Sequence, residues 1–173
     1  MEKFDLYDVN RRKTGETMVR GTAVPKDRYR LVIRVIVFNS EGKMLIQQRA
    51  SDRSSYPSMW DFSVGGSVIA GETSSEGAER ELLEEIGLKV ALSGKQPSFS
   101  INFESGFDDF YIIDYDIESE DIVFQKEEVQ AVKWATKDEV IKMIRNGEFI
   151  DFRESLVELL FSFREKRYGT FAK

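Results

Sequence analysis

Hydrophobic and polar positions along this chain change period several times, and each change marks an element. Residues 31–38 are rich in β-branched side chains and apolar on both faces, broken only by Arg34, as an interior strand would be. Asn39-Ser40-Glu41-Gly42 supplies a turn, and Met44-Leu45-Ile46 begins a return strand. Trp60, Phe62 and Val64 alternate with polar residues and predict a short strand running into Gly65-Gly66. Over residues 73–86 the period becomes helical. Thr73 and Glu76 have capping-box spacing, Ala78, Leu82 and Ile86 recur every fourth residue, and Gly87 ends the run. Strand-like runs follow near residues 101–103 and 111–117, the second cleanly alternating, and another spans 128–135. Thr136-Lys137-Asp138-Glu139 opens a helix to about Arg145, and a last amphipathic helix carries Phe152, Leu156, Leu159, Leu160 and Phe163. Near the N-terminus, residues 4–8 and 17–20 flank a Lys13-Thr14-Gly15 turn signal and predict a hairpin within residues 1–28.

Strands mixed with a few helices imply an α/β layered sandwich. No internal repeat or linker interrupts the chain, so a single domain over residues 1–173 is expected. Composition narrows the chemistry sharply. The chain has no Cys and no His, which excludes disulfides, thiolate metal sites, cysteine nucleophiles and histidine bases. Any metal must sit on oxygen ligands, which favours Mg²⁺, Mn²⁺ or Ca²⁺, and any acid–base group must be a carboxylate, Lys or Tyr. The net charge of −6 argues against nucleic acid as the partner. Residues 1–34 nevertheless hold 9 Lys and Arg against 5 Asp and Glu, whereas the remainder holds 16 against 26. That asymmetry fits either an acidic metal site near a basic, anion-facing region or an ordinary solvated surface. No apolar leader follows Met1-Glu2-Lys3, and no apolar run approaches the ~20 residues of a membrane span, so a cytoplasmic protein is expected.

The richest stretch is residues 65–88. At roughly 100° per residue, Glu81, Glu84 and Glu85 fall within roughly a 100° arc of the helix, beside an anchoring arc of Leu82 and Ile86. Like-charge pairs at this spacing cost about 0.2–0.5 kcal/mol each, a repulsion that a divalent cation would relieve. Arg80 could orient one carboxylate, and Glu72 sits where a negative charge favours the helix N-terminus. A Glu-rich helix face is by itself commonly just solvated. Here the spacing is more specific: Gly66, Glu72, Arg80, Glu81, Leu82, Glu84, Glu85, Gly87 and Leu88 match every defined position of the Nudix box, a chance event on the order of one in a million. The chain therefore resembles the Nudix hydrolases over residues 66–88.

That resemblance implies an α/β/α sandwich with a mixed β-sheet and a loop–helix–loop motif. It also implies Mg²⁺ or Mn²⁺ as cofactor and a small-molecule diphosphate as substrate. In the family the second to fourth Glu of the box are the usual ligands, here Glu81, Glu84 and Glu85, joined by the carbonyl at Gly65. Some members draw a further Glu from six residues before a strand Trp; Glu128, six before Trp134 and next to Glu127, matches and is the candidate general base outside the box. Glu104 and Glu120 come next.

A second resemblance runs from Arg49 through Pro57, Trp60 and Ser63-Val64-Gly65-Gly66 and is similar to the isopentenyl-diphosphate isomerase-like branch. There, basic residues at the positions of Arg49 and Arg53 contact the diphosphate. The isomerases, however, carry a catalytic Cys where this chain has Gly65 and a metal-binding His where it has Ser67. With those lost and every box Glu retained, the pattern points to hydrolysis of a nucleoside diphosphate linked to another group, or of a related diphosphate. A non-catalytic ligand sensor is the alternative. Phe103, Phe107, Phe110 and Tyr111 could stack on a base, but core packing is the better reading. The N-terminal hairpin could pair with a second subunit in a homodimer or cap its own sheet.

Overall fold

The computed structural model describes residues 1–165. It is a mixed α/β structure. In chain order the elements are β1 (Lys3–Tyr7), β2 (Lys13–Val19), β3 (Arg30–Phe38), β4 (Met44–Arg49), β5 (Trp60–Asp61), β6 (Val64–Ser67), α1 (Ser74–Ile86), β7 (Phe99–Phe103), β8 (Gly106–Asp114), a short 3₁₀ turn, β9 (Val129–Ala135), α2 (Lys137–Arg145) and α3 (Glu154–Glu165). Strands β1 and β2 pair alone; the other seven form one sheet in the order β5-β4-β3-β8-β7, with β6 beside β3 and β9 beside β4. Among the described residues no helix is long and apolar enough to cross a membrane.

The described residues divide into two compact units, one formed by Met1–Val35, Gly65–Leu83 and Lys89–Tyr111, the other by Ile36–Val64, Glu84–Leu88 and the described residues from Ile112. In the first, Phe4, Leu6 and Met18 from the hairpin form a buried cluster with Val24 and Ile69 against it. Phe99 and Phe110 stack across the β7–β8 ladder with ring centres 4.7 Å apart. In the second, Phe62 stacks on Phe152 at 4.5 Å and Phe38 meets Phe161 edge-on at 4.9 Å. Burial of each such ring contributes about 1.5–3 kcal/mol.

Four predicted boundaries shift, each for a local reason. The hairpin turn lies at residues 8–12, not at Lys13-Thr14-Gly15, which belongs to β2. Asp8 sets it: its Oδ1 accepts from the N–H groups of Asn10 and Arg12, both at 2.9 Å. The strand expected over Trp60, Phe62 and Val64 is split into β5 and β6. At the break, the buried Ser63 hydroxyl donates to Leu45 O at 2.6 Å and accepts from Val37 N at 2.9 Å, doing by side chain what a ladder would do by backbone. Strand β8 starts at Gly106 and stops at Asp114, ahead of the alternating window at 111–117. Phe107, Phe110 and Tyr111 are all buried, so its first half has no polar face for a period-two pattern to reveal. Finally, α3 buries Val157, Leu160 and Phe161; Leu159 is exposed and Phe152 precedes the helix.

Caps fall where sequence spacing put them. The Thr136 hydroxyl accepts from Glu139 N, and the Glu139 carboxylate accepts from Thr136 N, closing a capping box on α2. The same exchange between Thr73 and Glu76 opens α1. The first turn of α1 is also tied to the sheet through Asp109 of β8, whose carboxylate is fully buried and accepts from Ser74, Ser100 and Arg11. Replacing Arg11 by Met removes the only cation in that set while keeping most of the apolar stem. It should lower stability by about 1.5–3 kcal/mol, the range for a hydrogen bond to a charged group. The reading is the urea midpoint at constant m. An unchanged midpoint would mean that the two serines suffice.

Candidate active site

The loop before α1 is pinned to the helix by Arg80. Its Nε donates to Glu72 Oε1 at 2.8 Å, Nη1 to Glu81 Oε1 at 2.9 Å, and Nη2 to both Glu72 Oε2 at 3.2 Å and Ser67 O at 3.0 Å. Burial alone would lower its pKa, yet the Glu72 hydrogen bonds and the field of Glu81 outweigh it and hold the guanidinium above its ordinary value. Glu72 is further fixed by accepting from Ile69 N at 3.1 Å. Gly66 faces the Glu81 side chain so closely that a Cβ there would overlap the carboxylate. A side-chain-free residue is thus required for the Glu81 carboxylate to lie where it does.

On the last turn of α1, Glu84 is exposed and Glu85 is buried. The Glu85 Oε2 accepts from Gln47 Nε2 of β4 at 2.8 Å, while Gln47 Oε1 is buried with no hydrogen-bond partner. Gly87 follows with φ 68°, and a Cβ there would stand 2.6 Å from Val123 O. Gln125 N donates to Glu85 O at 3.1 Å. These two contacts dock the segment preceding β9 on the end of the helix, and that segment leads to Glu128.

Arg49 and Arg53 are partly buried, not free surface groups. Arg49 donates to Ser55 O at 3.0 Å and lies 3.7 Å from Asp61 Oδ2, while Arg53 lies 3.2 Å from Glu128 Oε1. The expected diphosphate contact and the expected outer carboxylate are therefore paired with each other. Glu104, Glu120 and Glu127 are exposed. Phe107, Phe110 and Tyr111 belong to the core and Phe103 is half-buried. The basic N-terminal third is largely matched internally, with Arg20 to Glu2 at 2.6 Å, Lys13 to Asp5 at 2.6 Å and Arg34 to Asp108 at 2.9 Å.

Glu81, Glu84 and Glu85 share one helix at the spacing that brings side chains to one face, and all offer hard oxygen donors of the kind Mg²⁺ or Mn²⁺ takes. Among the described residues no three carboxylates converge on a point. Glu81 is turned to Arg80 and Glu85 to Gln47. The set fits a divalent cation in chemistry, and beside Glu85 the Gln47 Oε1 is a buried oxygen without a hydrogen-bond partner. Gln47 and Asp61 had no sequence signal: each is a polar residue in a short strand, and nothing in its spacing marks it.

Comparison with known proteins agrees with this geometry. The family model described as NUDIX domain matches residues 28–155. An uncharacterized Nudix hydrolase of Listeria monocytogenes is 43% identical over 152 residues, which is 88% of this chain and 90% of that protein. The crystal structure of DR0079 from Deinococcus radiodurans superposes with a TM-score of 0.74 at 26% identity, covering 92% of this chain and 97% of that one. An isopentenyl-diphosphate Delta-isomerase of Pectobacterium atrosepticum is 32% identical over 103 residues, 60% of this chain and 55% of that protein. The pinned loop, the carboxylate helix and these likenesses have one reading: the chain belongs to the Nudix family and is a Nudix hydrolase.

Proposed function

We propose that this Nudix hydrolase is a divalent-metal-dependent pyrophosphohydrolase acting on a nucleoside diphosphate linked to another moiety, or on a related small organic diphosphate. The observation that carries the reading is the helix α1 with Glu81, Glu84 and Glu85 all retained and its entry loop clamped by Arg80. Glu81, Glu84 and Glu85, with the Gly65 carbonyl, would hold Mg²⁺ or Mn²⁺. When bound, such an ion stabilises negative charge on the bridging and leaving oxygens. Arg80 keeps the entry loop and the helix in register. Glu128 is the carboxylate outside the box suited to accept a proton from the attacking water, and Arg53 now neutralises it at 3.2 Å. A diphosphate taken up by Arg53 would release the Glu128 carboxylate for that role. Gly65 has no side chain to move a proton on carbon, which supports hydrolysis over isomerisation.

Cleavage of nucleotide-linked diphosphates into a nucleoside monophosphate and a phosphorylated second product, followed by separating the products, should require Mg²⁺ or Mn²⁺ and stop in EDTA. Glu85→Gln should lower kcat by at least ~100-fold, as expected when charge stabilisation in the transition state is lost; near-wild-type turnover would refute the helix assignment. In Gly66→Ala the added methyl must push the Glu81 carboxylate aside. That displacement strains the Arg80–Glu81 pair, so the melting midpoint should fall modestly while kcat drops by ~10-fold or more under conditions where the protein stays folded. Equal activity would show that the position of Glu81 does not matter. Glu128→Gln should depress kcat strongly with stability within about 0.5 kcal/mol of wild type. Unaltered kcat would remove Glu128 from the reaction.

A further inference from the structure

Every other partly buried arginine among the described residues lies in an ion pair with a carboxylate; Arg30 alone does not. Its Nη1 donates to Ser67 Oγ at 3.1 Å, and its guanidinium carbon stands 5.8 Å from the centre of the Phe103 ring. A guanidinium has five donors, and here one meets a protein oxygen. Burial pulls its pKa below the ordinary value, opposed by the field of Asp108, whose carboxylate is already bound by Arg34 at 2.9 Å. A desolvated cation without a matching anion costs stability.

The position of Arg30 places that charge beside the box. Alternation along β3 puts Arg30 and Arg34 on one face, half-buried among buried neighbours. Both meet β6: Arg30 bonds Ser67, and a Cβ on Gly65 would stand 3.1 Å from Arg34 Nη1. Ser67 is held from two sides, its hydroxyl by Arg30 and its carbonyl by Arg80 at 3.0 Å. Thus Gly65 and Ser67 of β6 both face arginines of β3.

We propose that Arg30, with Ser67 and the Phe103 ring, forms an oxyanion subsite that takes a phosphoryl oxygen of the substrate. Ser67 fixes one arm of the guanidinium and the ring supports its plane, so the remaining N–H donors are preorganised for a bidentate contact. Arg34 cannot serve equally, because Asp108 neutralises it. The subsite rests on the diphosphate reading above and names the residue that would recognise the anion.

The test is calorimetric titration of metal-free protein with inorganic pyrophosphate and, separately, with inorganic phosphate, using wild type, Arg30→Met, Arg30→Lys and the exposed control Arg12→Ala. Arg30→Met should bind pyrophosphate at least tenfold more weakly while its melting midpoint stays level or rises, since a costly buried charge has gone. Arg30→Lys should recover part of the affinity, and Arg12→Ala should stay within twofold. In turnover assays Arg30→Met should raise KM about tenfold with kcat little changed. Wild-type protein that binds pyrophosphate through Arg30 but cleaves no diphosphate would support the subsite and sink the hydrolysis proposal alone. Three outcomes would overturn the subsite: no pyrophosphate binding by wild type, unaltered affinity in Arg30→Met, or a phosphate effect with KM unmoved, which would mean a free-phosphate site and not a substrate contact.

Discussion

The structure around the helix α1 depends on one cation. Arg80 reaches Glu72 in the entry loop, Glu81 on its own helix and the Ser67 carbonyl in β6, so a single guanidinium ties loop, helix and strand together. Its planar, multi-donor shape is what makes this possible; a lysine ammonium could not span three acceptors in fixed directions. The arrangement also sets the limits on its neighbours. Glu81 can approach β6 because Gly66 has no side chain, and Ser67 is held so that its hydroxyl is presented to Arg30.

Carboxylates in this protein are handled in two ways. Some are consumed structurally: Asp109 is buried under Arg11 and two serines, and Glu72 and Glu76 satisfy backbone donors at the entry to α1. Others remain adaptable. Glu84 is exposed, Glu85 accepts from the Gln47 amide, and Glu128 is met by a partly exposed arginine. An amide partner orients a carboxylate without cancelling its charge, which suits a group proposed to ligate a metal. Glu85 itself is buried, and its partner Gln47 keeps a buried, unsatisfied Oε1.

The chain has Gly65 and Ser67 where the isomerases it resembles carry Cys and His. In the folded chain Gly65 makes room for Arg34 and Ser67 accepts from Arg30. Two guanidinium groups thus stand beside β6, one paired with Asp108 and one, Arg30, without a carboxylate partner among the described residues.

Local features were legible from the amino-acid order. The capping boxes at Thr73 and Thr136, the stop at Gly87, the interior strand and the carboxylate spacing along α1 each depend on neighbours within a few residues, and helix or strand geometry converts such spacing directly into position. The seam between β5 and β6, the face of α3 and the pairing of charges were not. Ser63 can replace ladder bonds only because Val37 and Leu45 arrive on either side of it. Glu85 meets Gln47 across 38 residues, and Arg34 meets Asp108 across 74. A charged side chain several ångströms long can reach any of several partners, and which one it meets is set by how strands far apart in the chain come to lie side by side; spacing along the sequence holds no record of that choice.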